Sequence, residues 1–560
     1  MNSDKRNLVI LIFMLFIRLS IFSASGNSTQ IIQSGHWIYD AMEILSTDSK
    51  RSYFLTNQPL TVGELKFYLN DISWESLSDS GKILYDKVFS FLTRHDDFFP
   101  DYEMRVFANL RVNPEFYWKT NSDIPWSFSY NYKDFAITLP ILLGFSDYFT
   151  IESDLFLGKN YVAASEPYNF TNIPLGGNQI EFLMPRFAYG STGVVFEKWG
   201  VSLHVGKEGL QIGNTLLGSV IYNKTFETDS YIQLSLYTNW LKYALDVIQV
   251  DHTKFMYIHQ LDLRPFKNFT VGVVEGSLLN SSFELRYLNP LMIMHQFGSW
   301  TDYDLTDIEA RFYGEGHFCA YLGFTFEWTP VRHLRVYGMY AQNEILDFGG
   351  SRTDSALSVP DSIGAQFGAQ YNIPLNHGFL KTYVEAVYTS PYLYIKQSPD
   401  WSLYRHRQDM QTRSYIDTWL GSPLGPDCFA IGFKTEYESS GKWKSGAGYV
   451  FKVHGENNAR LFSLYDDELG IYQYYPWTKY QLAENDDGRL SARDEARNMW
   501  MSGIPEYINM ISLFGGYSVL SNLEISAQFI YTFIFNNGNV KGRYAHGAEF
   551  SLAVTYQLFK

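Results

Sequence analysis

The chain has 560 residues, a formal net charge of −15, and an aromatic share of 18% with 42 Tyr and 43 Phe. The acidic balance excludes nucleic acid as a natural partner. Two cysteines, Cys319 and Cys428, exclude a disulfide framework and any cysteine-based metal site.

The first residues, MNSDKRNLVILIFMLFIRLSIFSASG, place Lys5 and Arg6 before an apolar run from Leu8 to Ile17, followed by the small residues Ser23, Ala24 and Ser25. That order predicts a secretory signal over residues 1–25. Mean hydropathy is −0.18, and beyond the signal no apolar run reaches the length of a spanning helix. A chain of this kind crosses a membrane after export only as a closed barrel, because only helices and barrels satisfy their backbone groups in lipid.

Residues 26–98 carry helical periodicity. Trp37, Ala41, Ile44 and Leu45 form one stripe. Thr61-Val62-Gly63-Glu64 is a capping-box pattern that opens a second helix with Leu65, Tyr68, Leu69 and Ile72 on one face. Leu84, Val88, Phe91 and Leu92 mark a third around Lys82–Thr93. The reading is a small helical bundle on the periplasmic side, and GHWIYDAMEIL resembles the S-layer-homology type of module.

From Met104 onward the period changes from 3.6 to 2. Tyr257, His259, Leu261 and Leu263 alternate with Met256, Ile258, Gln260 and Asp262, then a turn at Arg264–Asn268 leads into Phe269, Val271 and Val273. Pro265 lacks a ladder donor and belongs at the turn. Trp328–Val336 repeats the pattern and Tyr371–Phe379 is a looser copy. A strand is also read at Trp126–Lys133, among others, and the last strand sets Phe550, Leu552, Val554, Tyr556 and Leu558 against Glu549, Ser551, Ala553, Thr555 and Gln557. Such a terminal strand, ending at Phe559-Lys560, is what the outer-membrane assembly machinery reads. The fold class is therefore mainly β: residues 99–560 form a large antiparallel transmembrane β-barrel of about 16–18 strands, behind a small N-terminal α-helical bundle. Membrane lipid is an implied partner, and the aromatics supply interfacial girdles.

The long connections, Gly158–Gln179, Gly213–Thr228, Asn289–His317, Leu346–Asp361, Ser390–Asp427 and Gly455–Gly503, are expected to face outward. Aromatic rings there can stack on sugars, which makes Trp401, Tyr404, Tyr474, Trp477 and Trp500 candidate carbohydrate contacts. Glu275, Glu284 and Arg286 read as lumen charges, either a constriction or an ion-pair ladder. Asp302, Tyr303, Asp304, Asp307 and Glu309 lack the glycine turn and terminal spacing of a calcium loop. Catalytic motifs are missing from the sequence, so no enzyme, cofactor or metal is expected.

Residues Gly206–Asn223 and Phe283–Pro290, with Lys207, Gly213, Ser219, Glu284, Arg286 and Asn289, resemble motifs of the Wzi capsule-assembly family. The order of signal, helical bundle and barrel is similar too. The resemblance implies an outer-membrane barrel of a Gram-negative-type bacterium that holds surface or capsular polysaccharide without catalysis. This chain departs from the family's Trp-Gly-Pro-Gly-like core, having Ile212-Gly213-Asn214 there. The alternative expectation is a porin-like solute channel with an acidic lumen.

Overall fold

A computed structural model describes residues 28–93, 104–127, 135–145, 147–159, 168–176, 180–182, 187–224, 229–291, 318–344, 362–396, 402–408, 415–439, 442–457, 465–466, 471–472 and 499–558. The predicted signal, the acidic stretch at 302–309 and most of the predicted strand Trp126–Lys133 lie outside the described residues.

Alternation of period 2 builds one closed antiparallel barrel of 18 strands. The wall begins with an interrupted strand, Met104–Ala108, Arg111–Val112 and Glu115–Lys119. It continues through Ile137–Phe145, Phe149–Lys159, Ala188–Val195, Trp199–Glu208, Asp229–Thr238, Leu241–Asp251, Lys254–Phe266, Phe269–Asn280 and Phe318–Trp328. The circuit is completed by Leu334–Glu344, Ser362–Leu375, Gly378–Thr389, Cys428–Ser439, Trp443–His454, Glu506–Leu520, Leu523–Phe535 and Tyr544–Gln557. The last strand pairs with the first, Phe550 opposite Trp118 and Tyr556 opposite Val112, so the wall has no free edge.

The repeated hairpins fall where the sequence puts them. Lys267-Asn268 turns between two wall strands, and Pro265 sits in the register shift between Leu263 and Phe266, where no ladder donor is needed. Two wall strands escape the periodicity. Ile137–Phe145, ITLPILLGF, is nearly all apolar and contains Pro140, which lies across from the break between Ala108 and Arg111 in the first strand. Ala188–Val195, AYGSTGVV, is made largely of small residues that carry little alternation.

Alternate connections are short, such as Lys267-Asn268, His377 with its neighbours, and Ser521-Asn522; the others are mostly long. In outer-membrane barrels the short turns face the periplasm. The outward register is apolar: Leu203, Val205, Ile232, Leu234, Ile431, Phe433, Ile511 and Leu513 are all exposed. Near the short-turn end it ends in a ring of exposed aromatics, Phe149, Trp199, Trp240, Phe266, Trp328, Trp443 and Tyr517. That is an interfacial girdle above a lipid-facing band.

Three helices, α1 Trp37–Asp48, α2 Val62–Asn70 and α3 Asp79–Leu92, sit at the short-turn end. Each starts on a side-chain cap: His36, Thr61 and Ser78 accept from Ile38, Glu64 and Gly81. Ile38, Met42, Leu45, Leu65, Tyr68, Leu69 and Val88 form their shared core, into which Tyr237 projects from the wall. The bundle docks on the turns. Lys267 accepts from Ser52 N at 2.9 Å, Thr47 O accepts from His333 N at 2.9 Å, and Arg332 reaches Asp48 at 2.9 Å.

Candidate functional site

Between α1 and α2 the chain enters the barrel. Asn57 is 2% exposed. Its Nδ2 donates to Asp246 Oδ2 at 2.9 Å and to Gln260 Oε1 at 3.1 Å, and its Oδ1 accepts from Gln233 Nε2 at 2.8 Å. One amide thus satisfies inward-facing groups of three consecutive wall strands, the fully connected state that a buried polar network needs. Buried charge at the same end is paired. Lys242 meets Glu64 at 2.7 Å, and Arg335 meets both Glu43, at 3.2 Å, and Glu327. Burial pushes the Glu43 carboxyl up to about 8, against the pull of Arg335, and burial lowers His36 to about 4.

The second filler is the connection after Glu208. It was expected to face outward; instead it turns into the lumen. Gln211 and Ile212 pair with Gln58 and Asn57, so the inserted connection and the entering N-terminal segment form one small sheet inside the barrel. Gly213 has φ +104, a left-handed conformation that favours glycine, and a Cβ there would meet Met339 Cε at 2.5 Å. Ser219 is fully buried; its hydroxyl donates to Ile212 O and accepts from Ile221 N at 3.1 Å. Glu385 accepts from Leu216 N and Leu217 N at 2.8 Å each, and Tyr321 OH donates to Val220 O at 2.8 Å. Around these polar anchors Ile212, Val220, Ile221, Ile248, Ile258, Val274, Leu278, Tyr321, Leu393 and Tyr394 make an apolar core inside the bore. Dry packing of this kind contributes on the order of 1.5–3 kcal/mol per large buried side chain.

The third filler comes from outside. Residues 390–427 were also expected to face outward, yet Tyr392, Leu393, Tyr394, Ile395, Leu403 and Tyr404 are all buried. Their polar backbone is satisfied locally, for example Leu403 N to Tyr394 O at 2.9 Å. From this base rises a hairpin, Tyr404–Gln408 with Tyr415–Trp419. Arg405 fixes its foot: Nη2 lies 2.5 Å from Asp229 Oδ2 and 2.9 Å from Tyr222 OH.

The sequence-based candidates separate. Gly213 and Ser219 belong to the inserted connection. Tyr404 is 2% exposed and packs against Trp419 with ring centroids 4.7 Å apart and planes tilted by 54°, so it supports the hairpin and is not available to a ligand. Trp500 is 54% exposed, with its ring 6.0 Å from Phe429. Trp401, Tyr474 and Trp477 lie outside the described residues. Lys207 shares the outward register of Leu203 and Val205.

Glu275, Glu284 and Arg286 were expected to line the lumen; the structure places them, and Asn289, outside it. Glu275 shares the outward register with Val273, because Val274 and Leu278 point inward. Glu284 and Arg286 pair at 3.0 Å in a short turn, Leu285–Leu288, which folds over the outside of the wall on Tyr257, with Asn289 exposed beyond it. Of the residues that occlude the bore, Asn57, Asp229 and Glu385 were not singled out in the sequence, and Arg405 was read there only as a charge on an outward-facing connection. Their only signal is a polar side chain on an inward register or in a loop, which says nothing of a partner more than 150 positions away.

The fold and this arrangement define a class: an 18-stranded outer-membrane β-barrel whose bore is entered by its own chain from both ends. No family model and no curated protein sequence matches the chain. Among solved structures it is similar to Wzi of Escherichia coli, an outer-membrane protein involved in group 1 capsule assembly and described as a carbohydrate-binding β-barrel. Identity is 11%, with a TM-score of 0.52 over 93% of this chain and 98% of that one. Two further solved structures are more distant in shape. OprD of Pseudomonas aeruginosa has a TM-score of 0.37 at 10% identity, over 81% of this chain and 95% of its own. DcaP of Acinetobacter baumannii has 0.34 at 8%, over 81% and 97%.

Proposed function

We propose that this protein is a non-enzymatic outer-membrane barrel that binds or anchors a surface polysaccharide through its outer loops. The observation that carries the reading is a bore entered and occupied by the protein's own chain. Three separate segments converge in it around Asn57, Val220 and Tyr394, through apolar packing and hydrogen bonds such as Asn57 to Asp246 and Tyr394 OH to Val220 O. A barrel built this way works at its rim. The outer hairpin at Tyr404–Trp419 stands on a rigid base, which is how an aromatic platform holds a ring ligand with little ordering cost. The likeness to a carbohydrate-binding barrel supports the same reading, as do the aromatic outer connections.

The test is binding of surface polysaccharide, purified from the protein's own organism, to the refolded protein in detergent. Trp401→Ala, Trp477→Ala and Trp500→Ala are measured beside the parent. Saturable binding that these changes weaken is expected. No binding, together with steady ion conductance in planar bilayers, favours the alternative of a solute channel.

A further inference from the structure

The wall strands Trp199–Glu208 and Asp229–Thr238 lie side by side, and the N-terminal segment rests on their inner faces at Ser34 and Asn57. Some inward positions here are bonded to protein directly. Gln233 Nε2 donates to Asn57 Oδ1 and to Asp246 Oδ1 at 2.8 Å each, and Ser191, opposite His204 in the ladder, donates to Thr29 O. Others are buried and have no hydrogen-bond partner among the described residues: Ser202 Oγ, Ser235 Oγ, both ring nitrogens of His204, Glu208 Oε2 and Tyr231 OH. These residues are only 1–3% exposed.

The orphaned atoms fall into two groups. Ser202 and Ser235 face each other across the ladder, and His204 is the next inward position along from Ser202. Small residues flank them, Gly193 opposite Ser202 and Ala244 opposite Ser235. Further along the same strands Tyr231 stands opposite Gly206, one inward position from Glu208. Glu208 Oε1 accepts from Ser34 N at 3.1 Å, which brings the equally orphaned Ser34 Oγ to the same carboxylate. A neutral imidazole carries one donor and one acceptor, a hydroxyl carries both, and a carboxylate oxygen accepts. Buried groups of these kinds are satisfied by protein or by ordered water. A buried water makes about three hydrogen bonds, and each group offers side chains for that many.

We propose that the N-terminal segment is seated on these two strands through ordered water, held at one site by Ser202, Ser235 and His204 and at a second by Glu208, Tyr231 and Ser34. The seat of the inserted connection is of the other kind: Val220 and Ile221 lie among Ile258, Val274 and Tyr321 in an apolar core. Water in the seat is independent of glycan binding at the outer hairpin, and neither result bears on the other.

X-ray radiolysis of the full-length protein in detergent, read by mass spectrometry, tests it. Ordered water against a buried side chain releases hydroxyl radicals in place, so that side chain is modified while a dry one of equal burial is not. His204 and Tyr231 are expected to be modified several-fold faster than Tyr321 and Tyr394, whose hydroxyls are bonded to Val220 O. Ser202→Ala with Ser235→Ala removes two partners of the first site, and is expected to slow modification of His204 several-fold while leaving that of Tyr231 unchanged. Barrel closure is checked by the heat-dependent mobility shift, and if the double variant does not fold, Ser235→Ala alone is used. His204 and Tyr231 as unreactive as Tyr321 and Tyr394 overturn the proposal. So does equal, fast modification of all four, and so does a folded serine variant in which His204 reacts as in the parent.

Discussion

Arg405 and Asp229 are joined at 2.5 Å in the bore although 176 positions separate them. The pair ties the foot of an outer hairpin to the wall strand that follows the inserted connection, and Tyr222 of that connection donates to the same carboxylate at 2.5 Å. The hairpin, the inserted connection and, through Gln58 and Gln211, the N-terminal segment are thereby one hydrogen-bonded column from rim to rim.

Asp229→Ala leaves the Arg405 guanidinium buried without its counter-charge. Breaking a buried pair in this way costs about 3–5 kcal/mol. The expected outcome is a lower thermal midpoint in detergent and faster tryptic cutting within residues 402–420. Arg405→Lys is expected to recover only part of the loss, because an ammonium does not reproduce the forked contact with Asp229 and Tyr222.

Asn57→Ala removes donors and acceptor from Asp246, Gln260 and Gln233 at once. Each buried polar group left unmatched costs about 1–3 kcal/mol. The expected result is weakened seating of the helical bundle, read as faster amide exchange over residues 53–61 while exchange in the wall strands is unchanged. Asn57→Asp is expected to be worse than Asn57→Ala, since it adds a carboxylate beside Asp246.

The outward and inward registers predict opposite responses to one kind of change. Leu513 is exposed on the lipid-facing wall, and its neighbour Ser512 is half-buried on the inward register. Leu513→Arg is expected to cost about 2–4 kcal/mol, as charge near mid-membrane does in such barrels. Ser512→Arg is expected to be tolerated. Urea unfolding in lipid vesicles reads both.

Docking of the bundle is expected to be strongest on the acidic side of neutral, between the ordinary carboxylate value of 4.5 and the ordinary histidine value of 6.5, and to weaken on either side. His36 caps α1 as a neutral acceptor and its folded value is lowered to about 4. Its contribution is present above the ordinary histidine value and is lost as pH falls toward 4. Glu43 has a folded value raised to about 8, so its contribution is present below the ordinary carboxylate value and is lost as pH rises toward 8. Glu43→Gln is expected to flatten the alkaline side alone, and His36→Asn, which keeps a cap, the acidic side alone. Amide exchange over residues 37–48 across this range checks the signs.

The wall was legible in the sequence because a half-buried strand must alternate. Phe550 through Leu558 and Tyr257 through Leu263 could be placed on their faces directly. Ala188–Val195 was not legible, because glycine and small residues erase the contrast between faces. The helices were legible from their caps and stripes, as at Thr61 and Glu64. The interior was the blind part. The connection Gly213–Thr228 read as an outward-facing loop, and nothing local shows that Val220 will be buried under Tyr321 and Tyr394. Tyr404 looked like a free aromatic for the same reason. What fills a barrel depends on partners far apart in the chain, and alternation carries no information about them.

The most direct measurement is polysaccharide retention on living cells. A strain lacking the protein is complemented with the parent, with the triple change of Trp401, Trp477 and Trp500 to Ala, or with an empty vector, and polysaccharide recovered with the cells is weighed against that shed to the medium. The account predicts shedding with the empty vector and with the triple variant, and retention with the parent. Equal retention in all three strains, with the proteins present at equal levels in the outer membrane, would contradict it.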